Sequence, residues 1–145
     1  MEETDNERSR VLALDLGKKR IGLALSDELG LTAQGLPTFQ RTRIRDDLVG
    51  LSRIVEERGV RRIVIGFPLH MSGREGRQVT WVREFGERLA EATGLSVHYW
   101  DERLTSVEAN RVLKESGISI EKRAKAVDRL AAVLLLESYL DRVER

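Results

Sequence analysis

Hydrophobic residues in this chain fall in short, separated runs whose spacing switches between strand and helix periods. Val11-Leu12-Ala13-Leu14-Asp15-Leu16-Gly17 is an apolar run that delivers one carboxylate near its end and is followed at once by glycine. Ile21-Gly22-Leu23-Ala24-Leu25-Ser26 is a second run, and Leu29 to Gln40 reads as a third strand. Asp27-Glu28 makes a tight turn between them, so the chain opens as an antiparallel meander. Ile44, Leu48, Leu51 and Val55 then recur at helical spacing, with Thr42 as the expected N-cap and Gly59 as the stop.

Arg62-Ile63-Val64-Ile65-Gly66 is short and apolar throughout its centre, as expected of a strand covered on both faces. Beyond the loop Phe67 to Gly73, a helix carries Val79, Val82, Phe85 and Leu89 and ends at Gly94. Leu95 to Glu102 repeats the first arrangement, an apolar strand that ends in carboxylates. Thr105-Ser106-Val107-Glu108 has the form of a capping box and starts a helix that stops near Gly117. A last, alanine-rich helix begins at about Ala124.

This order predicts an α/β protein with a mixed five-stranded sheet, an antiparallel meander followed by parallel strands, and helices on both faces. Helical crossovers make the first, fourth and fifth strands parallel. Ligands of such sheets bind beyond the carboxyl ends of parallel strands, where Asp15, Gly66 and Glu102 fall.

With 145 residues, 41% of them hydrophobic, the chain can bury one good core. Residues 1–9 read as a polar, flexible tail and 10–145 as a single domain. The tail is unlike a signal peptide, and no apolar run reaches the roughly 18 to 20 residues of a membrane span. Lack of cysteine fits a reducing cytoplasm. With no Cys and only His70 and His98, a zinc site of the Cys/His type cannot be assembled. Oxygen ligands favour hard ions, so any metal here is expected to be Mg²⁺ or Mn²⁺.

Carboxylates are the candidate ligands. Asp15 ends the first strand, and Asp101 and Glu102 end the fifth, facing opposite sides so that one of them enters a site. Asp128 interrupts an apolar helix on a face shared with Ala124, Ala131 and Leu135, a stripe that should pack inward. Buried carboxylates are costly unless paired or bound to a cation. An ion pair of Asp128 with Arg129 or Lys125 is the structural alternative.

Net charge is +1, from 25 basic and 24 acidic residues, so the overall balance implies no polyanion partner. The basic residues nevertheless cluster, at Lys18-Lys19-Arg20, at Arg41, Arg43 and Arg45, at Arg74 and Arg77, and at Lys122, Arg123 and Lys125, and three of these clusters adjoin the candidate carboxylates. Clusters of this kind are either solvated faces or contacts for a phosphodiester backbone. His70 lies in the loop after the fourth strand, as a phosphate contact or an ordinary loop histidine. His98, Trp81, Phe85 and Trp100 read as structural. No serine sits in a nucleophile-elbow pattern.

Four ordered segments resemble one family. Asp15-Leu-Gly-Lys-Lys-Arg-Ile-Gly-Leu-Ala-Leu-Ser-Asp27, Ile65-Gly-Phe-Pro-Leu-His-Met-Ser-Gly-Arg-Glu-Gly76, Asp101-Glu-Arg-Leu-Thr-Ser106 and Val127-Asp-Arg-Leu-Ala-Ala132 look like the YqgF (RuvX) family of RNase H-like nucleases. The family comprises proteins described as Holliday junction resolvases and as pre-16S rRNA processing nucleases. The resemblance implies an RNase H-like sheet with Asp15, Glu102 and Asp128 as catalytic, metal-holding carboxylates, Asp101 being the reserve for Glu102. His70 stands where the family pattern has asparagine, and Ser106 where threonine is commoner.

The resulting expectation is a Mg²⁺- or Mn²⁺-dependent nuclease acting on the 16S rRNA precursor, as a monomer or homodimer, in the cytoplasm. Lys18, Arg20, His70, Arg74, Arg77 and Arg103 are the expected nucleic-acid contacts. The alternatives are a resolvase of branched DNA and a non-catalytic nucleic-acid-binding protein. An ATP-binding relative of the actin and sugar-kinase group also places Asp-x-Gly after its first strand. That group needs two such domains, and 145 residues supply one.

Overall fold

The computed structural model describes residues 9–67, 77–101 and 120–143. Five strands form one sheet in the order β3-β2-β1-β4-β5: β1 (Val11–Leu16), β2 (Arg20–Ser26), β3 (Ala33–Gln40), β4 (Arg62–Phe67) and β5 (Ser96–Asp101). β1 pairs antiparallel with β2 and parallel with β4, and β4 pairs parallel with β5. That is the predicted mixed sheet.

Strand alternation divides the core into two layers. Leu12, Leu14, Leu16, Leu23, Ile63 and Ile65 point to one face, where α1 (Ile44–Arg58) and α2 (Arg77–Thr93) bury Leu51, Val55, Val82, Phe85 and Leu89 against them. Val11, Ala13, Ala24 and Val64 point to the other face, beneath Ala132, Leu135, Leu136 and Leu140 of α3 (Ile120–Val143). Small side chains on this second face let α3 lie close to the sheet. Gly35 belongs to the same arrangement: a Cβ there would lie 2.5 Å from the Cγ of Arg129. Toward its C-terminal end α3 is tied down by Tyr139, whose hydroxyl accepts from Nη1 of buried Arg62 at 3.1 Å. The Trp100 indole meets the Tyr139 ring edge-on at 5.5 Å and donates to Ser138 Oγ at 2.9 Å.

Three local expectations are corrected. The third strand begins at Ala33 rather than Leu29, because the Asp27 carboxylate captures the N–H groups of Leu31 and Thr32 at 2.6 and 3.1 Å. Leu29 and Leu31 are left exposed in that turn. Thr42 does not cap α1: the N-cap is Arg43, without a side-chain bond, and the Thr42 N–H instead donates to buried Asp47 at 2.9 Å. The last helix starts at Ile120, four residues earlier than its alanine-rich part suggested. Gly59 closes α1 in the left-handed region, as read from the sequence. The capping box at Thr105 lies outside the described residues.

Candidate active site at the carboxyl edge of the sheet

Asp15 follows Val11 and Ala13 in strand alternation and so lies on the α3 face, half-buried, at the end of β1. Its cross-strand partner is Gly22 of β2. Gly22 faces α3 where Asp128 sits, and a Cβ at position 22 would overlap the Asp128 carbonyl oxygen. The missing side chain is thus what lets the helix bring Asp128 down onto the strand that pairs with Asp15. Gly22 thus borders two acidic residues 113 positions apart, Asp15 across the strands and the backbone of Asp128 on the helix.

Asp128 is held by a cation from the sheet, not from its own helix. Arg20 Nε donates to Asp128 Oδ2 at 2.7 Å, with side-chain exposures of 31% and 22%. The alternative partner Arg129 is engaged elsewhere, its Nε donating to the Leu36 carbonyl at 3.0 Å. Lys125 lies among residues whose side chains are outside the description.

The turn carrying Lys18, Lys19 and Arg20 is fixed from the other side of the sheet. Gly17 N–H donates to the Arg20 carbonyl at 2.9 Å, closing the turn. Arg41 grips it: its backbone N–H donates to the Lys19 carbonyl at 2.9 Å and its Nη1 to the Gly17 carbonyl at 3.0 Å. Nε of Arg41 donates to buried Asp47 at 2.9 Å, and the guanidinium lies over Trp81 and Phe85 at 5.0 and 5.5 Å from their ring centres. An isolated carboxylate as deeply buried as Asp47 would be costly; here it accepts two bonds and an opposite charge. Lys18 and Lys19 remain exposed at the tip.

Asp15 and Asp128 are candidates from the sequence, and in the structure both neighbour Gly22, one by strand register and one by backbone contact. Arg41 stands out in the sequence only as a member of a basic cluster. Gly22 and Asp47 carry no separate signal, since a strand glycine and a first-turn aspartate are both commonplace. Asp101 ends β5 in register with Phe67. Glu102, His70, Arg74 and Arg103 lie outside the described residues, as does the side chain of Arg77, the first residue of α2. His98 sits lower in β5, exposed, its ring 6.3 Å from that of Tyr139. Phe85 is buried, as expected of a core residue, whereas Trp81 and Trp100 are only partly so.

A mixed sheet opened by a three-strand meander, with carboxylates at the edge of its first strand, defines an RNase H-like α/β protein. The fold matches Thermus thermophilus RuvC, solved with a Holliday junction substrate, at a TM-score of 0.57 and 14% identity over 92% of this chain and 95% of that one. It also matches the fowlpox virus resolvase in its junction complex, at a TM-score of 0.56 and 13% identity over 94% and 99%.

Sequence similarity is closer. A protein of Koribacter versatilis named "Putative pre-16S rRNA nuclease" is 52% identical over 142 residues, covering 98% of this chain and 93% of the relative. One of the same name from Syntrophus aciditrophicus is 49% identical over 94% and 91%. The sequence profile described as "RuvX: Holliday junction resolvase" matches residues 9–142, and the chain belongs to this family of nucleases.

Proposed function

We propose that this chain is a metal-dependent phosphodiesterase whose substrate is the precursor of 16S rRNA. The observation that supports this reading is that Gly22, the cross-strand partner of Asp15 at the carboxyl edge of β1, also lies against the backbone of Asp128. Two half-buried carboxylates on one face are oxygen donors of the type hard divalent ions take, and a cation, the Arg20 guanidinium, already sits on one of them. The donor chemistry therefore fits Mg²⁺ or Mn²⁺.

Asp15, Asp128 and Glu102 would hold the ion. Glu102 is preferred to Asp101 on the family resemblance of the Asp101-Glu-Arg-Leu-Thr-Ser106 segment. When bound, the ion supplies an acidified water and neutralises charge developing on the phosphate. The chain's own part is to fix the carboxylates through a packed helix and a closed turn, and to hold the nucleic acid. Lys18 presents its ammonium at the tip of that turn, and Arg20, His70, Arg74, Arg77 and Arg103 complete the proposed backbone contacts. Such contacts set register and affinity without reading sequence.

RNA is preferred to branched DNA because trimming one strand needs a single site, whereas symmetric junction cleavage needs two acting together. The nuclease names of the relatives support it. The resolvase description of the family supports junction cleavage as the second reading. The reading implies a cytoplasmic protein; among the described residues no helix is long and apolar enough to cross a membrane. Depleting the protein from its host and sizing the 16S rRNA termini tests the choice. Unprocessed ends are expected; normal ends, with paired nicks in junction DNA by the purified protein, would reverse it.

A further inference from the structure

The contact between Arg20 and Asp128 joins residues 108 positions apart, yet it is only partly buried. Its geometry is that of a short, charge-assisted hydrogen bond, 2.7 Å from Nε to Oδ2. Arg20 begins β2, and its backbone carbonyl closes the turn after Asp15, so its guanidinium springs from a fixed base. Asp128 is equally fixed, because its backbone rests on Gly22. Neither main chain can shift to make room for a second cation on Asp128. The long Arg20 side chain can, since nearly a third of it is exposed and rotation carries it into solvent. A divalent ion taking Oδ2 would therefore compete with a side chain that is able to swing away.

We propose that Arg20 is the positioning residue of Asp128: it occupies Oδ2 as a place-holding cation in the metal-free protein and is displaced when a divalent ion binds. The inference rests on the metal-dependent reading of the site. Pairing with Arg20 keeps a half-buried carboxylate compensated and aimed at the sheet before loading. It also makes metal binding a competition, which weakens the apparent affinity of the wild-type chain.

The test uses the full chain and Mn²⁺ alone, with binding followed by calorimetry. Arg20→Gln should bind Mn²⁺ roughly threefold to tenfold more tightly than wild type, the range expected when a partly exposed ion pair no longer competes. Lys19→Gln removes a cation from the same turn without touching Asp128, and should change affinity by less than twofold. In the wild-type protein, Mg²⁺ titration should shift the Arg20 Nε–H resonance and speed its exchange with water, as expected of a released guanidinium. Equal or weaker Mn²⁺ binding in Arg20→Gln, an equal gain in Lys19→Gln, or an Arg20 resonance unmoved at saturating Mg²⁺ would each overturn the displacement while leaving the metal site standing. Absence of Mn²⁺ binding in wild type and variant alike would overturn the metal reading together with it.

Discussion

Gly22 and Asp128 touch backbone to backbone, strand against helix, with no room for even a methyl group between them. Gly22 is also the cross-strand neighbour of Asp15, so a single glycine borders both acidic residues. The close approach depends on Ala13 and Ala24 in the strands and on Ala131 and Ala132 in the helix, all buried on the same side. Geometry of the site is therefore a consequence of core packing.

Gly22→Ala should consequently damage both stability and activity. Lodging a methyl group against the helix backbone forces α3 outward, at a cost of about 1–3 kcal/mol. That is a fall of roughly 3–10 °C in melting temperature for a chain of this size. Cleavage should fall further than stability accounts for, because Asp128 moves with the helix. Calorimetry and a cleavage assay on the same preparation check this; a variant melting and cutting like wild type would show that the contact is not tight.

Asp47 is a structural carboxylate, and its removal should act through the turn it supports. Asp47→Ala leaves the Arg41 guanidinium, only 10% exposed, without its charge partner. Breaking a buried pair from one side costs about 3–5 kcal/mol. Denaturant unfolding should show that loss. An Arg41→Lys variant should keep the charge but lose the fork that joins Asp47 to the Gly17 carbonyl.

Acid should erode stability through Asp27. Bonds from the Thr32 and Leu31 N–H groups hold its carboxyl below the ordinary value of 3.8. A lowered folded pKa contributes stability above the unfolded value, and this is lost as pH falls from about 4 through the lower folded value. Unfolding measured from pH 6 to pH 2.5 should show a shallower acid loss in Asp27→Asn than in wild type. Tyr99 is the opposite case: burial, with Glu87 nearby, raises its phenol above 10. Its contribution is complete below pH 10 and lost as pH climbs through the higher folded value.

Substrate affinity should fall steeply with salt, with a slope of about −0.7 per phosphate contacted on a single strand. Lys18→Ala, and separately Arg74→Ala and Arg77→Ala, should each lower that slope by about one contact and leave sequence preference unchanged. Filter binding across a salt series measures it, and a flat response would point to a ligand other than nucleic acid.

Much of this arrangement is legible in the order of residues along the chain. Alternation in Val11–Leu16, with an acidic residue on the parity of Val11 and Ala13, already places Asp15 on one face. The Ala124-Asp128-Ala131-Leu135 stripe already places Asp128 inward. Pairing across distance is not legible in the same way: Arg20 with Asp128, and Gly22 with the helix above it, depend on how α3 is laid on the sheet. Leu29 and Leu31 mislead because their apolar character continues a strand pattern, while the Asp27 carboxylate ends that pattern by taking the N–H groups for itself. Thr42 misleads similarly, since the aspartate five residues later does the bonding.

On the proposed function, Asp15 and Asp128 together carry phosphodiester cleavage. The most direct measurement is the initial rate of cleavage of 16S precursor RNA with Mg²⁺ by wild type, Asp15→Asn and Asp128→Asn, each confirmed as folded by circular dichroism. Each substitution removes a charge at nearly constant volume, so the account predicts intact folds and rates lower by roughly 10²-fold or more. A folded Asp15→Asn or Asp128→Asn that cuts this RNA at the wild-type rate would contradict it.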